Sequence, residues 1–324
     1  MQLTFLGTGT SVGIPVIGCD CAVCRSTDPK DKRLRSSVYI QTPECAWVVD
    51  TGPDFRAQCL RENIRHLDAA IFTHPHMDHL TGFDELRRFT VDVDQFMPIY
   101  GTPECIAVLE RMFEYAFNGE NRYRGYLKPF PKPIHGPFHL GETTITPLPV
   151  QHGKVDTIGF LFSRGGKKLC AYIPDCKTLL PHSLELLKGV DTLIIDALRH
   201  TPHPTHMSFE ESLAVQRELQ PRQTWFTHIQ CEIMHAIEDP KLPPGVNIAY
   251  EVHVYDPPER FGKEFVEAAA FIPMIISEYG PIQQRTISTM SMGDVQALWK
   301  EAQRLEVPHI AWTFHYRCPP NLLV

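Results

Sequence analysis

At 324 residues the chain has room for one large domain, or for one with a smaller piece appended. A hydrophobic share of 43% and a charged share of 21% are those of a soluble globular protein, and the formal charge of -7 argues against a broad non-specific nucleic-acid surface while leaving room for a local basic patch. No apolar run nears the roughly 20 residues of a membrane helix, and the N-terminus lacks the basic and apolar regions of a signal peptide, so a cytoplasmic location is expected.

Gln2 to Leu6 is expected to open the chain as a strand, followed by the loop Gly7-Thr-Gly-Thr-Ser-Val-Gly13, which lacks the glycine spacing of a nucleotide-binding turn. Cys19, Cys21 and Cys24 come next as C-x-C-x-x-C, where a tight loop can gather three thiolates around a tetrahedral zinc. Structural zinc sites are closed, so a fourth ligand must arrive from far along the chain. Such clustering of thiols fits a reducing compartment better than a disulfide framework. Ser37 to Gln41 and Ala46 to Val49 read as an antiparallel pair, the second running into Asp50-Thr-Gly52. Asp50 could cap the helix expected over Asp54 to Glu62 or support a neighbouring site.

After the apolar stretch Leu67 to Phe72, expected as a buried strand, the chain reads Thr-His-Pro-His-Met-Asp-His-Leu-Thr-Gly, and Thr81, with Asp84 three residues on, is expected to start a helix. His74, His76, Asp78 and His79 thus fall within six residues. Alternate residues of an extended turn point the same way, so His74 and His76 can share one ion while Asp78 and His79 swing toward a second. Imidazole with carboxylate suits zinc, iron or manganese rather than calcium or magnesium.

A strand over Pro98 to Gly101 and a helix from Thr102 to near Ala116 are followed by residues 118–132, where Arg122, Arg124, Lys128 and Lys132 alternate with Tyr123, Tyr126 and Phe130. Such a stretch can hold a phosphate and stack a base, or it can be a solvated insertion. Strands are expected over Thr143 to Pro149, leading to Gln151-His152-Gly153, and over Gly159 to Ser163 and Lys168 to Ile173, the last ending in Pro-Asp175-Cys176; Cys170 and Cys176 read as packed thiols. The strand Thr192 to Ile195 leads through Asp196 into a loop bearing His203 and His206, and Ser208-Phe-Glu-Glu211 is a capping box opening a helix to Leu219. That helix N-terminus favours an anion. The strand Thr224 to Thr227 ends in His228, with Cys231 the better candidate for the fourth thiolate of the N-terminal knot and His235 the alternative. Val246 to Tyr250 is expected as the strand that closes this unit.

The turn His74-x-His76-x-Asp78-His79 after a hydrophobic strand resembles the signature of the metallo-β-lactamase superfamily. The resemblance implies a four-layer αββα sandwich over residues 1–250. It places the Gly7–Gly13 loop beside the metals and Asp50 behind the ligand turn. His74, His76 and His152 would hold one divalent ion, and Asp78, His79 and His228 the other, with Asp175 between them. Two such ions, zinc or manganese, lower the pKa of a shared water and so imply hydrolysis. Residues 1–250 further resemble the phosphoribosyl cyclic phosphodiesterases of phosphonate breakdown, through the Cys19-x-Cys21-x-x-Cys24 knot, the ligand turn, Gln151-His152-Gly153, the Pro-Thr-His206 loop and Thr227-His228. That resemblance implies a small cyclic phosphate ester as substrate, with His206 as general acid; Asp78 is then expected to be essential to the chemistry, and His203, beside a helix N-terminus, and Arg122 and Arg124, in the basic and aromatic stretch, are expected near the substrate. It also implies one structural zinc; the family pattern commonly has His where this chain has Cys231.

Other readings are an RNA endonuclease of tRNase Z type and a non-catalytic module that keeps the fold. No membrane and no stable nucleic-acid complex are expected, and pairing with a second copy is open. From Glu251 onward the chain changes character. Its β/α alternation, with Ile276-Ser-Glu278 and Ala311-Trp-Thr-Phe-His-Tyr, resembles the end of a cellulase-like (β/α)8 glycosidase. About 70 residues cannot close such a barrel, so a C-terminal β/α extension of packing or partner-binding character is expected.

Overall fold

The computed structural model describes residues 1–90, 95–119, 125–251 and 254–255. Contacts gather Met1–Asp256 into one compact unit; Arg122, Arg124 and the glycosidase-like stretch lie outside the described residues.

Six strands are laid down first: β1 (Gln2–Gly7), β2 (Ser37–Gln41), β3 (Ala46–Val49), β4 (Ala69–Ile71), β5 (Met97–Gly101) and β6 (Pro129–Pro133). The second series is β7 (Phe138–Leu140), β8 (Thr143–His152), β9 (Val155–Arg164), β10 (Lys167–Ile173), β11 (Thr178–Leu179), β12 (Thr192–Asp196), β13 (Gln223–Thr227) and β14 (Val246–Ile248), and β15 (Val254–Tyr255) returns to pair β1. They form two sheets, ordered β15-β1-β2-β3-β4-β5-β6 and β11-β8-β9-β10-β12-β13-β14, with β7 paired to β8.

Period-two patterning sorts the side chains into layers. Trp47 and Val49 of β3, Ile71 of β4, Tyr172 of β10, Ile194 of β12 and Trp225 of β13 meet between the sheets. The intervening residues face outward. Val48 and Ala70 pack with Phe55, Phe72 and Leu109 under α2 (Phe55–Arg61) and α4 (Pro103–Met112), while Leu193, Ile195 and Phe226 pack with Leu187 and Phe209 under α6 (Pro181–Leu187) and α7 (Phe209–Leu219). Both sheets are therefore buried on two faces, which is why their central strands read as unbroken apolar runs. The result is the αββα sandwich. No described helix is long and apolar enough to cross a membrane.

Two local expectations are corrected. The stretch Pro-Phe-Pro-Lys-Pro, read as part of an insertion, is the edge strand β6, parallel to β5. The Met97 amide donates to Lys128 O and the Ile134 amide to Gly101 O, so even positions bond β5 and odd positions face outward. The odd positions 129, 131 and 133 are all proline, so this edge offers no outward N–H to another strand.

The helix expected over Thr81 to Phe89 is a 3₁₀ helix over Phe83–Phe89, preceded by a separate short helix, α3 (Met77–Leu80), with His76 at its N-cap. Its backbone is gripped by the turn after β3: the Thr51 amide donates to His79 O and the Gly82 amide to Thr51 O. A Cβ on Gly52 would sit 2.0 Å from Asp78 O. Gly52→Ala is therefore expected to cost about 3 kcal/mol of stability, as overpacking against backbone does. Urea unfolding would measure the loss, and a shift below 1 kcal/mol would contradict the close approach.

Candidate metal centre

The side chains of the site come from the C-terminal ends of strands. β3 and β4 are parallel, as are β10, β12 and β13, and parallel strands end on the same edge of their sheet. Asp50 follows β3, His74 follows β4, Asp175 follows β10, Asp196 ends β12, His228 follows β13, and His152 ends β8.

His74, His76 and His152 converge, with His76 Nδ1 lying 2.9 Å from His74 Nε2 and 3.3 Å from His152 Nε2. Asp78, His79, Asp175 and His228 form a second set, each group offering ligand atoms within 4.8 Å of one another. Asp175 joins the two. Its Oδ2 is 3.2 Å from His74 Nε2 and 2.8 Å from His79 Nε2, and its Oδ1 is 2.8 Å from His228 Nε2.

Whether these residues suit a divalent ion can be tested on the donors themselves. His79 Nε2, His228 Nε2 and Asp175 Oδ1 are buried at contact distance, yet their angles satisfy no hydrogen bond. Atoms that aim at a shared point rather than at each other behave as ligands of a common ion. The remote ring nitrogens of His79, His152 and His74 are occupied, whereas His228 Nδ1 is buried without a hydrogen-bond partner. His79 Nδ1 donates to Asp50 Oδ2 at 2.7 Å, His152 Nδ1 to Thr205 O at 2.8 Å, and His74 Nδ1 lies 3.0 Å from Thr73 Oγ1. Fixing the far nitrogen sets the tautomer and turns Nε2 to the site. Asp50, in left-handed backbone at φ 65, also accepts from the Thr73 amide and hydroxyl at 2.8 Å each, so it supports the ligand turn rather than capping α2.

The electrostatics agree. Burial holds the His74, His76 and His152 imidazoles below their usual pKa, so they stand neutral and ready to ligate. Burial would lower His79 too, but the Asp78 and Asp175 carboxylates outweigh it and push that imidazole well above its usual value. The second set thus draws positive charge into a dry pocket. Oxygen and imidazole donors fit a divalent cation there.

The loop between β12 and α7 brings His206 beside the site, its ring 4.6 Å from His228 and 4.7 Å from His152. His206 Nδ1 donates to Asp196 Oδ2 at 2.7 Å. Asp196 is fully buried and also accepts from the Cys176 amide at 2.8 Å. The sequence reading passed over Asp196, whose signal was its place at the end of an apolar strand, like Asp50 and Asp175. It also passed over Thr205, whose contact to His152 is made by backbone and leaves no trace in residue type. His203 lies at the rim, its ring 5.1 Å from His206.

Cys19, Cys21 and Cys24 near the N-terminus and Cys231, three residues after His228, bring their sulfurs within 4.8 Å of one another. The cysteines of the described residues are free thiols. His235, the alternative fourth ligand, is engaged elsewhere: its amide donates to Asp31 Oδ1, and its Nδ1 lies 3.3 Å from Arg33 Nη2. Burial and the facing Cys21 and Cys24 sulfurs push the Cys231 thiol up to about 12. Four sulfurs cannot ionise together at this distance without a cation, and their number and type fit zinc.

A model of the β-lactamase superfamily domain matches residues 47–229. A solved diphosphatase described as of the PhnP family is 37% identical, covering 78% of this chain and 96% of its own, with a TM-score of 0.72. Among curated proteins, an octanoyltransferase of Porphyromonas gingivalis is 31% identical over 78% of this chain and 50% of its own length, and a ribonuclease Z of Bradyrhizobium sp. is 30% identical over 50% and 49%. This chain spans about half the length of the curated relatives it matches.

Proposed function

The chain belongs to the β-lactamase superfamily, and from that premise we propose that it is a metal-dependent phosphodiesterase acting on a small cyclic phosphate ester of phosphoribosyl 1,2-cyclic or 2′,3′-cyclic nucleotide type. One observation carries the reading: the pair of buried Asp196 and partly exposed His206 stands beside two donor clusters joined by Asp175. The 37% identity to a PhnP-family diphosphatase supports a phosphate-bearing substrate.

In this reading His74, His76 and His152 would hold one divalent ion, zinc or manganese, Asp78, His79 and His228 would hold the other, and Asp175, whose oxygens face both sets, would serve each. Such a pair supplies a nucleophile from water at neutral pH and positive charge against the phosphoryl oxygens. The chain's own residues do the rest. Asp50 and Thr73 hold the ligand turn in one rotamer set, and the grip of Thr51 on α3 keeps Asp78 and His79 aimed inward. Asp196 accepts from Nδ1 of His206, which leaves Nε2 as the proton donor to the departing ester oxygen. In a cyclic ester that oxygen is an alkoxide, a poor leaving group that needs the proton. His203 at the rim would meet the phosphate or the sugar, and Cys19, Cys21, Cys24 and Cys231 would hold a structural zinc.

The runner-up is cleavage of an RNA phosphodiester, favoured by the 30% identity to ribonuclease Z. A panel of purified substrates separates the readings. We expect turnover of 2′,3′-cyclic mononucleotides or a ribose 1,2-cyclic phosphate in the presence of zinc or manganese. Cleavage of a tRNA precursor with none of the cyclic esters turned over would select the runner-up, and no turnover of any phosphodiester would defeat both.

A further inference from the structure

The two metal clusters are usually separable problems, one chemical and one structural. Here they are joined by three residues. His228, which offers its ring to the second cluster, is followed by Ile229, Gln230 and Cys231, whose sulfur belongs to the thiol cluster. We propose that the thiol cluster, with its ion, is the positioning device of His228, so that the second ion of the hydrolytic centre binds tightly only when the four sulfurs are filled. The inference rests on the two-ion reading of the site and not on the identity of its substrate.

The backbone supplies the first argument. His228 sits at φ 59, in the left-handed region that a residue with a Cβ adopts only when its surroundings hold it there. The hold comes from the residues just after it. The Ile229 amide donates to Thr8 O at 2.9 Å, the Thr10 amide to Ile229 O at 3.1 Å, and the Gln230 amide to Leu198 O at 2.9 Å. Cys231 then closes the turn, its carbonyl accepting from Cys21 Sγ at 3.4 Å while its own sulfur faces the other three.

The second argument is what holds the other side of that grip. Thr8 and Thr10 begin the loop that carries Cys19, Cys21 and Cys24. Its buried apolar content is Ile14, Val23 and Cys24, a small cluster separate from the three large cores. Ile17 is 98% exposed and Val12 50%. So little apolar burial leaves a loop of this length to be ordered by an ion, as in small zinc domains. Releasing the ion frees the cysteine-bearing loop and Cys231 together, and with Cys231 the far end of the turn that begins at His228.

Beyond Cys231 the chain is anchored independently, by the His235 amide on Asp31 and by the buried Arg33, whose Nη1 donates to Ala249 O and whose Nη2 lies 3.3 Å from His235 Nδ1; Arg33 also donates to Thr8 Oγ1 at 2.9 Å, so the start of the chain keeps its place as well. Losing the ion therefore loosens a segment rather than unfolding the protein, which makes the proposal testable in the full chain.

The test compares wild type, Cys231→Ala and Cys231→His, the last restoring a four-ligand shell that zinc accepts. Zinc affinity at the hydrolytic centre is read by competition with a chromogenic chelator, and His228→Ala identifies which binding step belongs to the second ion. We expect Cys231→Ala to weaken that step by about 10–100-fold, the range typical when a ligand loses its support. The step that belongs to His74, His76 and His152 should stay unchanged, and Cys231→His should regain wild-type affinity. A folded Cys231→Ala protein that lacks the thiol-bound ion yet binds the second ion as tightly as wild type overturns the proposal, as does equal weakening of both steps. Should Cys231→Ala fail to fold, wild type stripped of the thiol-bound ion by an organomercurial is titrated instead, with the same two outcomes. None of these readouts uses a substrate, so a failed phosphodiester panel leaves them untouched.

Discussion

Asp175→Ala is expected to lower phosphodiester hydrolysis by at least about 10³-fold and to leave the hydrolytic centre unable to hold two ions. Asp175 is the carboxylate whose two oxygens reach both clusters, at 3.2 Å from His74, 2.8 Å from His79 and 2.8 Å from His228. Without it five imidazoles and one remaining carboxylate, Asp78, face a buried pocket. The charge that a metal pair places against a phosphoryl group is worth several kcal/mol, and about 4 kcal/mol is the stated loss in rate. Asp175→Asn separates charge from shape, since it keeps the volume while halving the acceptor capacity, and a similar loss is expected. The checks are metal content by atomic emission and the rate at saturating metal. Two ions bound with a rate within tenfold of wild type would show that Asp175 does not bridge.

What the sequence made legible followed the range of the interactions involved. His74, His76, Asp78 and His79 stand out because one turn carries them, and the family resemblance pointed to His152, Asp175 and His228 at strand ends, whose side chains converge on that turn. The two sheets were legible as well, since strands buried on both faces announce themselves as apolar runs. What failed was decided by tertiary contact. Thr81 and Asp84 carry a helix-start pattern, but the Gly82 amide is spent on Thr51 O, and the chain forms a short α3 before that point and a 3₁₀ helix over Phe83–Phe89 after it. Cys231 and His235 could not be separated by spacing; Asp31 and Arg33, some 200 positions away, claim the histidine and leave the thiol to its cluster. The proline-rich β6 ran against strand propensity because propensity describes an inner strand, whereas an edge can use residues that lack a donor.

His206→Ala should divide substrates by their leaving group. General acid catalysis contributes about 10²–10⁴-fold where the departing oxygen needs a proton. A cyclic nucleotide releases an alkoxide and should lose rate by that factor, whereas a bis-aryl phosphate releases a stable phenoxide and should lose less than about tenfold. The structure locates the reason in one contact: Nδ1 is committed to Asp196 at 2.7 Å, so Nε2 is the nitrogen left to face a substrate. Asp196→Asn supplies the companion measurement. An amide can donate to Nδ1 and trap the ring in the tautomer with its proton on Nε2, or turn its oxygen to Nδ1; either way it no longer stabilises the charged ring, so alkyl substrates should again suffer most. The assignment therefore rests on a ratio rather than on a rate. Equal losses for alkyl and aryl esters in His206→Ala would mean that the histidine binds or orders the site, and the proton would then have to come from another group.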